Sequence, residues 1–91
     1  MLKLKEKKSF KKKLKKYKHN DEVLNELEIV TNILINEKEL PIKYQDHELK
    51  GKFKGIRELH LKPDDLLMYF KIDKVSITLV AIGSHSELFN S

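Results

Sequence analysis

The spacing of apolar residues changes at Pro41, and that change restricts the fold more than any other feature of the chain. Before it, Phe10, Leu14 and Tyr17 recur at helical intervals between lysines, and Val23, Leu24, Leu27, Val30 and Leu34 form a second helical stripe. After it, "KFKGIRELHL" (Lys52 to Leu61), "DLLMYFKI" (Asp65 to Ile72) and "VSITLVAI" (Val75 to Ile82) have the short period and β-branched content of strands. Proline cannot donate to a helical ladder and holds Leu40 extended, so the helical half ends there.

Local signals fill in the order of elements. "LKLK", Leu2 to Lys5, alternates like a short half-exposed strand. Ser9 is the expected N-cap of the first helix, and Asp21 and Glu22 place negative charge in the first turn of the second. "KPDD" and "DK" are connections short enough to make the last three strands antiparallel neighbours. The expectation is an α+β fold: a short N-terminal strand, then two helices packed on one face of a mostly antiparallel sheet that ends in three C-terminal strands. Ninety-one residues, 40% of them apolar, suit a single domain over 1–91 with one modest core.

Charge is distributed unevenly. Residues 1–20 hold ten lysines against one glutamate, whereas residues 21–40 hold one lysine against six acids. A lysine-dense segment attracts polyanions such as RNA, DNA or an acidic chain, although a solvated helix face has the same composition. Cysteine is absent, which removes disulfides, thiolate nucleophiles and cysteine–zinc sites and agrees with a reducing cytoplasm. No apolar run approaches the roughly 20 residues of a bilayer span, so a soluble cytoplasmic protein with no membrane partner is expected.

Three histidines in the C-terminal half can carry proton-transfer chemistry: His47 in "YQDHELKGKFKG", His60 in "RELHLKPDD" with Asp64 four residues on, and His85 in "GSHSELF". Their spacing lacks the short separation of zinc ligands on one helical turn, so no metal or other cofactor is expected. Ser84 and Ser86 lack the strand–elbow–helix context of a serine nucleophile. "KGKFKG" supplies Lys50, Lys52 and Lys54 for phosphates and Phe53 for stacking on a base, and Arg57 joins them as a candidate substrate-binding cation. The structural alternative is a lysine-rich hairpin with a half-buried phenylalanine.

The stretch from Tyr44 to Phe70, followed by "LVAIGSHSELF", resembles the YafQ-like branch of the RelE superfamily, the toxins of bacterial type II toxin–antitoxin pairs. "DH-x-L-x-G", "R-x-x-H-x-x-P-D" and "G-S-H-S-E-L-F" occur in order at the family's spacing. The resemblance implies a small basic ribonuclease that cuts mRNA in the ribosomal A site and is bound by a cognate antitoxin. Carried over by motif, the site residues are His47, His60, Asp64, His85 and Phe89. Relatives usually carry arginine two residues before the glycine of the last motif, where this chain has Ala81. An alanine cannot hold a scissile phosphate in two hydrogen bonds, so low activity is expected. Two other readings follow from the same features. A ParE-like inhibitor of DNA gyrase shares the fold without the histidine set, and a plain RNA-binding module would keep the lysines yet be indifferent to His85.

Overall fold

A computed structural model describes residues 1–89. The chain forms β1 (Lys3–Glu6), α1 (Lys8–Leu14), α2 (Asp21–Ile35), β2 (His47–Glu48), β3 (Arg57–Lys62), β4 (Asp65–Ile72), β5 (Ser76–Gly83) and α3 (His85–Phe89), with single 3-10 turns at Lys15–Tyr17, Ile42–Tyr44 and Gly51–Phe53. The five strands lie in the order β1-β5-β4-β3-β2. Only β1 runs parallel to its neighbour; the other three pairings are antiparallel, as the short connections require. The expected α+β architecture is the one observed.

α1 packs on β5 and α2 on β3. Phe10, Tyr17, Val23, Val30 and Leu34 bury their side chains against Leu59, Leu61, Leu67, Tyr69, Ile77, Leu79 and Ile82. Both helical stripes are therefore core stripes. Asn20 caps α2 by accepting from the Val23 amide at 3.2 Å, ahead of Asp21 and Glu22 in the first turn.

Three expectations need correction. Ser9 does not cap α1: Lys7 holds the cap position without a side-chain bond, while the Ser9 hydroxyl donates to the Val80 carbonyl at 2.6 Å. That carbonyl lies at an irregularity of β5, where a hydroxyl from α1 supplies the donor. Residues 52–56 are not strand, because Gly51 and Gly55 take positive φ (67° and 93°) and fold "KGKFKG" into a turn, so β3 begins at Arg57. Finally, Val75 precedes β5, which starts at Ser76 after the left-handed Lys74 of the turn.

All three tyrosines of the chain are buried and donate to carboxylates: Tyr17 to Asp65 at 2.9 Å, Tyr44 to Glu26 at 2.5 Å and Tyr69 to Asp46 at 2.5 Å. Burial, reinforced by these acceptors, pushes Tyr44 up to about 12 and the other two higher still. The folded chain thus holds phenolic protons that the unfolded chain releases from about pH 10, so stability present below that pH declines above it. Thermal melts from pH 8 to 11.5 should show a melting temperature that falls above pH 10, with a shallower fall in Tyr44→Phe. A flat profile in the parent chain would contradict this coupling.

Candidate active site

The site begins with the pairing register. His47 lies opposite Glu58, Glu58 opposite Met68, and Met68 opposite Ala81, so these four share one face of the sheet. The next row on that face is His60, Leu66 and Gly83. It is the face away from the core residues Leu59, Leu67 and Ile82. A bulge makes this possible: Tyr69 pairs with Leu79 but Met68 with Ala81, which leaves Val80 without an opposite residue. Ile77 and Leu79 point into the core, and plain alternation would send Ala81 there too. The extra residue turns Ala81 to the histidine-bearing face and Ile82 to the core.

His47 is half exposed. Its Nδ1 lies 2.8 Å from the Gln45 carbonyl. Because a carbonyl only accepts, Nδ1 carries the proton in this contact and Nε2 is the other ring nitrogen, 3.6 Å from Glu58 Oε1. His60 is held likewise, its Nδ1 3.2 Å from the Pro63 carbonyl in the β3–β4 turn. Both rings thus keep Nε2 for proton transfer. Glu58 is 5% exposed, and its Oε2 has no hydrogen-bond partner. Ala81, 7% exposed, is the small residue in the same cross-strand row.

"GSHSELF" is not a frayed end. Ser84 Oγ accepts from the Glu87 amide at 3.2 Å, and Glu87 Oε1 accepts from the Ser84 amide at 2.8 Å, a reciprocal capping box that starts α3. A Cβ on Gly83 would stand 3.1 Å from that glutamate oxygen, so glycine leaves room for the box. Lys16 pairs with the other Glu87 oxygen. Asp64 accepts from the His85 backbone amide at 3.0 Å. It thus fixes the start of α3, while the partner of His60 is a carbonyl.

Ring contacts join the last motif to the "KGKFKG" turn. His85 stacks obliquely on Phe89 with centroids 4.9 Å apart, and Phe89 meets Phe53 edge to face at 5.6 Å. Around Phe53, Lys50, Lys52 and Lys54 are exposed, with the Lys52 ammonium 5.3 Å over the Phe53 ring. Arg57 stands apart from them. It lies in register with Tyr69 and pairs with Asp46 at 2.7 and 3.0 Å, which raises its pKa further, and Asp46 also accepts from Tyr69. The aspartate of "DH" and the arginine of "R-x-x-H" therefore fasten β2 to β3 and β4, and so set His47 in its row.

Glu58, Asp46 and the Ser84–Glu87 pair were not among the residues expected at the site. The spacing S-x-x-E in "SHSE" is the signal for the last of these. Nothing local distinguishes Glu58 from an ordinary exposed strand residue.

This sheet, with its histidine-bearing face and capped terminal helix, is that of the toxins of bacterial type II toxin–antitoxin systems. Residues 2–90 match the family described as "Bacterial toxin of type II toxin-antitoxin system, YafQ", and the chain belongs to that family. The mRNA interferase toxin YafQ of Escherichia coli (strain K12) is 38% identical over 78 residues, covering 85% of this chain and 82% of the relative. A metal-bound toxin from Helicobacter pylori superposes with a TM-score of 0.88 at 46% identity, covering 98% of this chain and 100% of that one. In the E. coli DinJ-YafQ complex, the matching chain gives 0.85 at 31% identity, covering 98% of this chain and 99% of the other. Among the described residues of this chain, no three His, Asp or Glu side chains gather as a metal ion would need.

The capping box yields a direct test. Glu87→Ala removes both the box and the Lys16 pair, and should cost roughly 1 kcal/mol. Amide exchange should accelerate over His85–Phe89 while β3 to β5 stay protected. Unchanged exchange in α3 would mean that packing of Phe89 alone holds it.

Proposed function

We propose that this chain is a cytoplasmic, ribosome-dependent endoribonuclease that cuts mRNA in the ribosomal A site, is restrained by a cognate antitoxin, and is weakened by Ala81. The observation that carries this reading is the pairing of two kinds of proton carrier. His47 and His60 hold Nε2 ready on one sheet face, and a capped helix holds His85 at the end of that face. A gyrase inhibitor or a plain binding module has no use for three such histidines. The E. coli relative is named an mRNA interferase, which supports the same reaction.

Cleavage starts with attack of the ribose 2′-oxygen on the adjacent phosphorus. Nε2 of His60 or His47 takes the 2′ proton, the bond to the 5′-oxygen breaks, and His85 protonates that leaving oxygen. The products are a 2′,3′-cyclic phosphate and a 5′-hydroxyl, with charge and protons balanced. Lys50, Lys52 and Lys54 bind the strand electrostatically, and Phe53 and Phe89 offer ring surface to its bases.

The charge that builds on the phosphoryl oxygens lacks its partner. Ala81 offers no donor, and in the same row Glu58 contributes a buried carboxylate whose Oε2 is unpaired. Position 81 lies two strands from Glu58, about 10 Å, close enough for an arginine to face both the carboxylate and a bound phosphate. One such donor is worth roughly 3–4 kcal/mol in the transition state. Ala81→Arg should therefore raise ribosome-dependent cleavage about 10²–10³-fold, read by primer extension on a reporter mRNA. In that background His85→Ala and His60→Ala should each remove at least about 10²-fold. Equal cleavage with and without the arginine would defeat the argument from Ala81, and cleavage indifferent to both histidines would defeat the mechanism.

The N-terminal lysines form a separate surface. Lys11, Lys12 and Lys15 are exposed, whereas Lys16 is engaged with Glu87. Replacing the first three by glutamine should weaken ribosome binding and flatten its dependence on salt, because up to roughly three fewer counterions are released. Titrations at several salt concentrations give the slope, and an unchanged slope would assign these lysines to solubility alone.

A further inference from the structure

A cavity of about 370 Å³ opens beside His60, between the β3–β4 turn and the segment that leads into β2. Its polar groups are Glu26, Lys43, Gln45 and Lys62, and Pro63 and Leu61 supply apolar wall. Nothing in the cleavage mechanism uses them. We propose that this cavity is a nucleobase subsite for the nucleotide next to the cleaved bond, and that Glu26 makes it select bases with an exocyclic amino group against uracil. The inference takes its ligand class from the ribonuclease reading.

Glu26 is fixed in place. Its Oε1 accepts the Tyr44 hydroxyl at 2.5 Å, which leaves Oε2 facing Lys43 at 4.0 Å as an acceptor beside a donor. The Lys43 ammonium is steadied 5.0 Å over the Tyr44 ring. A carboxylate oxygen accepts from the amino groups of adenine, cytosine or guanine. Uracil has none, and its one ring N–H lies between two carbonyls that would meet the carboxylate unfavourably. Lys62, paired with Glu22 at 3.0 Å, stands at the cavity with His60 and is a cation for the adjoining phosphate. Gln45 links the cavity to the catalytic row, because its carbonyl receives His47 Nδ1 while its own backbone is left-handed at φ 49°. A base seated here is thus beside His60, and Gln45 at its wall is the residue that holds His47. Single-stranded RNA is commonly read in this way, by bases turned out into polar pockets.

The test is binding, not cleavage. Titration of the labelled protein with AMP, CMP, GMP and UMP, followed by amide shifts, should give saturable changes at Lys43, Gln45, His60 and Lys62, with UMP at least about tenfold weaker. Glu26→Gln keeps an acceptor for Tyr44 and presents an amide donor instead, so it should abolish the discrimination against UMP while melting at the parent's temperature. Equal affinity for all four nucleotides, shifts confined to the lysines of α1, or selectivity unchanged in Glu26→Gln would each overturn the proposal. Selective binding by a chain whose Ala81→Arg form cuts no mRNA would uphold the subsite and refute the ribonuclease reading. Cleavage without nucleotide selectivity would do the reverse.

Discussion

The bulge at Val80 is the constraint on which the site rests. β5 is an interior strand of the described sheet, flanked by β1 and β4, and its first half points Ile77 and Leu79 into the core. A regular strand would keep that alternation to its end, pointing residue 81 into the core between sheet and helices and turning Ile82 to the opposite face. One unopposed residue reverses the parity, and the carbonyl it carries is satisfied by Ser9 from α1. The helix that covers the core thereby also stabilises the irregularity that aims the opposite face. Gly83 and the capping box follow directly, so the orientation of His85 is inherited from the same extra residue.

The parts of the fold that were legible in the sequence are those governed by burial. Phe10, Tyr17, Val23, Val30 and Leu34 announce helices because their spacing must match a buried face, and β4 and β5 are readable because strands of alternating apolar residues need a partner. What was not legible depends on a choice between competing partners. Ser9 has the composition of an N-cap, but a carbonyl from residue 80 is the better partner, and only the tertiary fold brings it near. "KGKFKG" alternates like a strand, yet two glycines at positive φ bend it so that Phe53 reaches Phe89. The three histidines could be named as candidates, but the face that His47 and His60 share comes from a register that no local pattern records. Arg57 shows the reverse case, a cation that composition assigns to substrate and geometry gives to Asp46.

Asp46 illustrates how little separates structural from functional residues in so small a protein. It accepts from Arg57 and from Tyr69, and the next residue is His47. The two-residue β2 has too few ladder bonds to hold a histidine by itself, and the charge-assisted pair to Arg57 supplies what the strand lacks. Tyr17 does similar service at the other end of the site. Its hydroxyl holds Asp65, next to the Asp64 that receives the His85 amide. Each histidine-bearing segment is thus anchored by a tyrosine–carboxylate contact at its border with the core.

Glu58 is where the demands of stability and of chemistry diverge. A carboxylate that is 5% exposed, with one oxygen unpaired, is a costly group to place in a sheet, and the nearby imidazole at 3.6 Å is too distant for a hydrogen bond. An isosteric apolar residue would pack there at less cost. A cation approaching along the row of residues 47, 58, 68 and 81, such as a guanidinium at position 81, would account for its presence. With alanine at position 81 the row has its anion and lacks its strongest cation.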